Sequence, residues 1–365
     1  MGKRVTIKDI SNELGVSLSI INRVLNNKPG VSKEMRERVL ESAERLGYRK
    51  NKVAQSMARS CIQIGVVIPL EWPEYYNSLK KGLDEEFTRL YDYNVESKYY
   101  YVENNSSGKE TAELLGKCIE DGLNGVIVCD AFPIGLEKTF SKLNEKKIPV
   151  VLVGDSKSLS NRYLCSIQID AYCSGRMAAE MLSLSISDCS NAIVFVGNKD
   201  NAEHYLKING FTDEANKRGL NILGVYETHD DDEIAYQLVK RVFEKNKNMI
   251  GIYSATANSA SVCRFVEESG ASARIIVTDV YSKTVEYLKK GVIEGIIFQN
   301  LEKHGRTAVK VLYDYITENK PTSNKIYIAP QLVLNSNLSN YFSDDDLMPS
   351  KEKQTVKSYK KQNES

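Results

Sequence analysis

The sequence is poor in the features that mark secreted, metal-binding and membrane proteins. Its seven cysteines are odd in number and include no Cys-x-x-Cys pair, which argues against a disulfide framework and against a zinc site. No apolar run reaches about 18 residues, the length of a membrane-spanning helix, and the N-terminus lacks the apolar core of a signal peptide. We therefore expect a soluble cytoplasmic protein that holds no metal and no other cofactor.

Catalytic signatures are missing as well. The sequence contains no Gly-x-Ser-x-Gly elbow and no Walker-type phosphate loop. Its three histidines, His204, His229 and His304, stand far apart in polar stretches, where we expect surface side chains. The sequence thus predicts a binding protein and not an enzyme.

The net charge of the chain is only +1, but the charge is unevenly spread. Residues 1–60 contain 13 Lys and Arg against 6 Asp and Glu, a balance of +7, which leaves −6 for the rest. A basic head on a mildly acidic body is typical of a nucleic-acid-binding module joined to a body with another task. A solvated basic helical cap is the alternative that charge alone leaves open.

The basic head carries the pattern of a helix-turn-helix. Thr6 and Asp9 form a capping box, Gly15 suits a tight turn, and Ser17 caps a second helix. Ser32 then caps a third helix. We expect the buried stripe of that third helix to consist of Met35, Val39, Leu40, Ala43 and Leu46. Such a motif can place its second helix in the DNA major groove.

Several motifs in the first sixty residues resemble the lactose-repressor (LacI/GalR) family of bacterial transcription regulators. In chain order they are T-I-K-D-I-S, G-V-S with I-N-R-V-L-N, V-S-K-E-M-R-E-R-V, L-G-Y-R-K-N and V-A-Q-S-M-A-R-S. The resemblance implies a DNA-binding domain over residues 1–48 and a hinge helix or linker over 49–61. It also implies a two-lobed effector-binding and dimerisation domain over 62–340, after which residues 341–365 read as a disordered tail.

The resemblance assigns DNA contacts within this head. The recognition helix would begin at Ser17, with Leu18, Ser19 and Asn22 at contacting positions and Arg23 pointing outward. Arginine suits bidentate contact with guanine, although a solvated helix charge is the alternative. Phosphate contacts are expected from Thr6, Lys8, Asn26 and Ser32. The hinge positions are Asn51, Ala54 and Met57, and Met57 stands where the family usually has a leucine wedge for the minor groove.

From Ile62 onward short apolar runs alternate with helical patterns, which predicts an α/β body of two doubly wound parallel sheets. The apolar runs are Ile64–Ile68, Val126–Val128, Val150–Val153, Ile193–Val196, Met249–Tyr253, Ile275–Val277 and Ile296–Phe298. The resemblance implies a body like that of periplasmic sugar-binding proteins, in which the chain crosses three times between two lobes. We place the crossings near Ser166–Asp170, Phe298–Leu301 and Tyr327–Ala329.

Seven side chains are candidates for an effector site between the lobes, either carried over from the family pattern or placed at strand ends. They are Tyr75, Tyr76, Asp130, Lys207, Asn258, Asp279 and Gln299. Aromatic rings, carboxylates and amides together suit a polyol such as a sugar; core packing and helix capping are the structural alternatives. Lys207 replaces the arginine usual in the family, and the two are not equivalent in bidentate contacts.

These patterns together predict a homodimeric transcription regulator that binds a pseudo-palindromic operator and responds to a small, sugar-like effector. Repression relieved by the effector is the default direction. Control by a protein partner or by a non-sugar corepressor is the alternative within the family. A solute-binding transport protein would have no use for residues 1–60, and a sugar-acting enzyme would need an acid–base pair that the sequence does not show.

Overall fold

The computed structural model describes residues 5–25, 28–48, 59–70, 73–103, 108–129, 135–155, 159, 162–186, 191–246 and 250–342. These residues form two compact units. The first contains the described residues of 1–61 together with 90–95, and the second contains 62–89 and the described residues from 96 onward.

Three helices make up most of the first unit: α1 (Ile7–Leu14), α2 (Leu18–Leu25) and α3 (Lys33–Arg45). The predicted capping box is present, since the Asp9 carboxylate accepts from the Thr6 backbone N–H and from its hydroxyl, both at 2.7 Å. Gly15 ends α1 with φ +64°, which a residue without a Cβ adopts at little cost. The helix-turn-helix that the sequence predicts is therefore confirmed.

The small core of this unit comes from one face of each helix. Its fully buried side chains are Ile10, Ile21, Val24, Val39 and Ala43. Leu40 was expected on the buried stripe of α3, and this prediction is wrong because its side chain is 48% exposed. The buried Val39 already occupies that turn, and the next residue of a helix points about 100° away.

The second unit contains two six-stranded sheets. The first sheet has the order β11-β5-β4-β3-β1-β2, with strands β1 (Ile62–Pro69), β2 (Val95–Val102), β3 (Gly125–Cys129), β4 (Val150–Val153), β5 (Cys165–Ile169) and β11 (Lys325–Ile328). The second has the order β12-β10-β9-β8-β6-β7, with strands β6 (Asn191–Val196), β7 (Asn221–Glu227), β8 (Ile250–Ala255), β9 (Ala273–Thr278), β10 (Gly295–Phe298) and β12 (Gln331–Val333).

Helices connect these strands in a doubly wound arrangement. The helices of the second unit are α4 (Pro73–Leu90), α5 (Lys109–Glu120), α6 (Glu137–Glu145), α7 (Ala171–Ser185), α8 (Ala202–Lys217), α9 (Asp232–Lys245), α10 (Ser259–Ser269), α11 (Ser282–Lys289) and α12 (Leu301–Glu318). In the second sheet β7, β6, β8, β9 and β10 pair in parallel, and β12 closes the edge antiparallel to β10. Each sheet with its helices is a lobe, and the two lobes share one strand order. The predicted α/β class is confirmed.

The chain passes between the lobes at three points. It crosses at Asp170, between β5 of the first sheet and α7, which packs on the second. It returns between β10 and α12 and crosses again between β11 and β12. The predicted first crossing begins too early, because Ser166 lies inside β5, where it pairs with β4 and β11. The other two predicted crossings overlap the observed links at 299–300 and 329–330, but they too begin inside strands, because Phe298 pairs with β12 and Tyr327 pairs with β5.

A glycine contact joins two helices in each lobe. A Cβ on Gly175 of α7 would lie 2.0 Å from the Lys207 carbonyl oxygen, and one on Gly210 of α8 would lie 2.0 Å from that of Tyr172. In the first lobe, a Cβ on Gly82 of α4 would meet α12 in the same way. These crossings leave no room for a methyl group, so both lobes depend on glycine there.

The C-terminal end of the body lies beyond the predicted boundary at 340. Tyr341 and Phe342 pack edge-on against Phe298, with ring centroids 5.7 and 5.5 Å away. They belong to the hydrophobic core of the second lobe and not to a tail, which corrects that boundary by two residues. The rest of the predicted tail, like most of the predicted hinge, lies outside the described residues.

Candidate functional site

The outer face of α2 is free of the core. Ile21 and Val24 point into it, whereas Ser19, Asn22 and Arg23 are exposed and Leu18 is 37% exposed. Ser17 precedes the helix, and its hydroxyl accepts from the Ile20 backbone N–H at 3.4 Å. The helix therefore presents a polar face with one leucine, which is the composition that groove contacts require.

Arg23 has a structural contact that the sequence does not reveal. Its Nη1 donates to the Pro29 carbonyl at 3.2 Å, in the loop between α2 and α3. Gly30 stands beside the same guanidinium, with φ +91°. Arg36 of α3 ties the same loop through Lys28, whose carbonyl accepts from Nη2 at 2.8 Å. Arg23 therefore has a structural role, because its side chain helps to hold this loop.

The residues expected at phosphates are surface residues with local partners. Thr6 binds Asp9 as described, and Lys8 is exposed on α1. The Ser32 hydroxyl caps α3 by accepting from the Met35 backbone N–H at 3.3 Å. The remaining DNA candidates lie outside the described residues: Asn26, Asn51, Ala54 and Met57.

Polar side chains meet at the carboxyl ends of the second sheet. Lys207 on α8 is 2% exposed, and its Nζ lies 2.6 Å from a Glu203 carboxylate oxygen. It also donates to Oε1 of Gln299, which follows β10, at 3.3 Å. The amide of Gln299 donates in turn to the Asp279 carboxylate, which follows β9. We name this cluster, with Glu74 and Asp230 described below, the interlobe site.

Burial sets the protonation of this cluster. Burial raises the pKa of Asp279 to about 6, although Lys207 and the Gln299 hydrogen bonds oppose the rise. Burial also disfavours the ions of Lys207 and Glu203, yet each holds the other charged: the pKa of Lys207 is raised and that of Glu203 lowered. Asp279 has φ +65°, an uncommon conformation that aspartate tolerates better than most residues.

A second network continues along the same sheet edge. The Thr256 hydroxyl, after β8, donates to the Asp230 carboxylate at 2.9 Å, and Asn258 donates to Asp232 at 3.0 Å. Gly197, at the end of β6, permits this arrangement, because a Cβ there would lie 2.5 Å from an Asp230 oxygen. Asn258 therefore lies on the Asp230 side of the site, since the Thr256 hydroxyl also contacts its amide oxygen, and it has no direct bond to Lys207, Asp279 or Gln299.

The first lobe contributes the start of α4. Glu74 accepts from the Ser282 backbone N–H at 3.3 Å and from its hydroxyl at 2.8 Å, and Ser282 belongs to the second lobe. Tyr75 and Tyr76 form an edge-on pair with ring centroids 5.0 Å apart. Tyr76 is buried at 3% exposure, and Tyr75 is half-buried. Asp130 lies outside the described residues.

Comparisons with known proteins decide the family. Residues 6–51 match the lacI family of bacterial regulatory proteins, and residues 64–320 match the periplasmic binding protein domain. Over residues 64–320 the chain belongs to the periplasmic binding protein domain family, and its head is a lacI-family domain. This regulator therefore joins a DNA-binding domain to a body of the periplasmic-binding-protein type.

Named relatives agree with this assignment. Catabolite control protein A of Priestia megaterium is 27% identical over 263 residues, 70% of this chain and 75% of that protein. Catabolite control protein A of Streptococcus mutans is 28% identical over 243 residues, which are 65% of this chain and 69% of that protein.

Among solved structures, the glucose-galactose binding protein GanP of Geobacillus stearothermophilus has TM-score 0.66 and 22% identity, covering 77% of this chain and 99% of that one. A solute binding protein of Actinobacillus succinogenes with bound D-allose has TM-score 0.70 and 19% identity, covering 77% and 100%. At this identity the likeness shows the fold alone.

The sequence of this regulator did not reveal three members of the interlobe site: Glu74, Glu203 and Asp230. Asp230 follows β7, a half-exposed edge strand without a continuous apolar run, so the usual sign of a strand end was absent.

His304 was expected at the surface, and this is wrong: it is 4% exposed on α12, where its Nδ1 lies 3.0 Å from the Asn300 carbonyl. Among the described helices, none is long and apolar enough to cross a membrane.

Proposed function

We propose that this regulator binds a pseudo-palindromic operator as a homodimer, and that a small polyhydroxylated effector at the interlobe site controls that binding. The observation that carries the proposal is the convergence of Lys207, Gln299 and Asp279, from three separate strand connections, at the carboxyl ends of a doubly wound sheet. Ligands of such folds bind at this edge.

The donor and acceptor set supports a polyol. The site offers a carboxylate acceptor, an ammonium donor and an amide that both donates and accepts, which is what vicinal hydroxyl groups need. Two proteins of the same fold, a glucose-galactose binding protein and a solute binding protein with bound D-allose, support the sugar class for this chain. The direction we propose is repression relieved by the effector.

Control requires that the effector prefer one arrangement of the lobes over another. The Glu74–Ser282 contact joins the two lobes, so a bound molecule that changes this contact changes their arrangement. By linkage, the effector shifts operator affinity only by the ratio of its affinities for the two arrangements.

The test is a ligand screen on the full chain. Thermal unfolding is measured with monosaccharides, disaccharides and nucleobases, and each hit is added to an operator-binding titration with DNA selected from a random pool. We expect a sugar to raise the melting temperature and to weaken operator binding. A hit confined to nucleobases, or a sugar that stabilises the protein without altering DNA binding, would contradict the proposal.

We expect Arg23→Ala to flatten base preference at one position of each half-site and to cost about 1–3 kcal/mol of specific binding, the usual value of a bidentate guanine contact. Arg36→Ala is the matched control, because Arg36 ties the same loop but lies on α3. Binding-site selection separates the two roles. An identical sequence logo for wild type and Arg23→Ala, or the same flattening in Arg36→Ala, would show that Arg23 supports the loop and does not read bases.

We expect Asp279→Asn to weaken the effector about tenfold, since a hydrogen bond to a charged group contributes about 1.5–3 kcal/mol, while operator affinity without effector stays near normal. Calorimetry measures the first quantity and fluorescence anisotropy the second. Unchanged ligand affinity would remove Asp279 from the site.

A further inference from the structure

Lys207 supplies positive charge to the interlobe site, and Glu203 neutralises that charge from within the protein. The two side chains lie one turn apart on α8, and Nζ of Lys207 is 2.6 Å from a Glu203 carboxylate oxygen. The Lys207 side chain is only 3% exposed, whereas the Glu203 side chain is 34% exposed. The ammonium is therefore shielded from solvent, and its counter-ion is the member of the pair that solutes can reach.

Asp279 adds a second carboxylate to this pair. Gln299 connects them, because its Oε1 accepts from Nζ of Lys207 at 3.3 Å and its backbone N–H donates to Oδ1 of Asp279 at 3.3 Å. Above about pH 6, the pKa of Asp279, these contacts join two carboxylates and one ammonium, so their net charge is −1. Burial lowers the pKa of His204 and of His304, which keeps both imidazoles uncharged near neutral pH.

This charge balance favours neutral ligands over anions. A carboxylate or phosphate on a ligand would have to displace Glu203 from Lys207, or enter beside two carboxylates away from water, and both cost free energy. Hydroxyl groups avoid that cost. They can donate to Asp279, and they can accept from the ammonium of Lys207, which has three donors and gives one each to Glu203 and Gln299.

We propose that Glu203 sets the charge class of the effector: by pairing with Lys207, it restricts the interlobe site to uncharged polyols. This rests on the proposed function and specifies the ligand class of the same site. Sugars that carry a carboxylate or a phosphate are excluded. Without the charge of Glu203, the same site selects a sugar acid, whose carboxylate pairs with Lys207 in its place.

The test compares matched ligands on the full chain by calorimetry at about pH 7, where carboxylates are ionised. Glucose, galactose and mannose are each compared with the uronic acid of the same configuration, in which a carboxylate replaces the C6 hydroxymethyl group. For the wild type we expect one neutral sugar to bind about tenfold or more tightly than its uronate, since the uronate has to displace a charge-assisted contact.

Glu203→Gln removes the charge and nearly keeps the shape of the side chain. Asp279 still favours the ammonium form of Lys207, and a ligand carboxylate can now supply the missing counter-ion. We expect the ratio of uronate affinity to sugar affinity to rise about tenfold or more. The double variant Glu203→Gln with Lys207→Gln should lose this gain, because it has no ammonium to pair.

Asp213→Asn is the matched control for the loss of one negative charge. Asp213 is an exposed carboxylate on the same helix, and it accepts from the Tyr172 hydroxyl at 2.7 Å. Its ratio of uronate affinity to sugar affinity should equal that of the wild type.

Formate provides a readout that depends on no particular sugar. Glu203→Ala removes the carboxylate, leaves the buried ammonium of Lys207 unpaired and makes room for a small anion, so this variant should be less stable than the wild type. We expect sodium formate to raise its melting temperature more than sodium chloride does at the same concentration. The wild type and Asp213→Asn should show no such difference between the two salts.

The outcomes distinguish this inference from the proposed function. A wild type that binds a uronate more tightly than the parent sugar overturns the inference and leaves a sugar-responsive regulator in place. An unchanged ratio in Glu203→Gln, or an equal change in Asp213→Asn, also overturns it. If none of the sugars binds, formate decides: stabilisation confined to Glu203→Ala supports the inference, and equal shifts in the wild type overturn it. The wider screen with operator binding then decides the proposed function by itself.

Discussion

Replacing Gly210 by alanine is expected to destabilise the second lobe by about 3 kcal/mol, the upper part of the range for overpacking a well-packed interior. The new Cβ would lie 2.0 Å from the Tyr172 carbonyl oxygen, a backbone atom that cannot rotate away. Helices α7 and α8 would have to separate, and α8 carries Glu203 and Lys207. We therefore expect effector binding to fall together with stability.

Urea unfolding measures this effect, and Gly116→Ala is the matched control. Gly116 also lies within a helix, α5, but a Cβ there has no heavy atom within 4 Å. The control should gain about 0.5–1 kcal/mol, since alanine loses less conformational freedom on folding than glycine. Equal stability of Gly210→Ala and wild type would mean that the two helices are not held by this contact.

Replacing Asp279 by asparagine is expected to stabilise the protein by about 1–3 kcal/mol at neutral pH, although it weakens the effector. The folded-state pKa of Asp279 is about 6, above its ordinary value of 3.8. A raised carboxyl pKa means that the fold prefers the protonated form. The ionised carboxylate therefore costs stability in full above about pH 6 and costs none below its ordinary pKa.

Thermal unfolding of wild type and variant across this pH range tests whether the Asp279 anion destabilises the fold. The stability gap should be widest above about pH 6 and should close as the pH falls below the ordinary pKa of 3.8, where aspartate becomes protonated in both states. Asp213→Asn, at an exposed carboxylate on α8 that accepts from the Tyr172 hydroxyl, is the control variant measured in parallel. A gap that widens toward low pH would show that the Asp279 anion is favoured in the fold.

The weaker effector binding and the higher stability expected of Asp279→Asn come from one feature, a buried carboxylate placed for binding and not for stability. Proteins commonly keep such costs at functional sites. We predict that Asp279 binds the effector and that its anion destabilises the fold. Two separate measurements on the same side chain can therefore test these predictions.

The sequence determined the elements that depend on local signals. Thr6, Asp9 and Gly15 define the start and end of α1 by capping and turn geometry within a few residues. The apolar runs identified most central strands, because strands covered by helices on both faces need continuous apolar residues. The apolar-run pattern missed edge strands. Strand β2, V-E-S-K-Y-Y-Y-V, mixes charged and aromatic residues because one side of it has no neighbouring strand.

Only the tertiary structure decided which polar side chains meet. Lys207 and Gln299 are 92 positions apart, and Glu74 and Ser282 are 208 apart, so no local pattern connects them. Their meeting depends on the strand order of the second sheet and on the chain crossings that bring the lobes together. The strand order and the crossings depend on how whole helices and sheets pack. The residue types and spacings within a short stretch of sequence do not determine that packing.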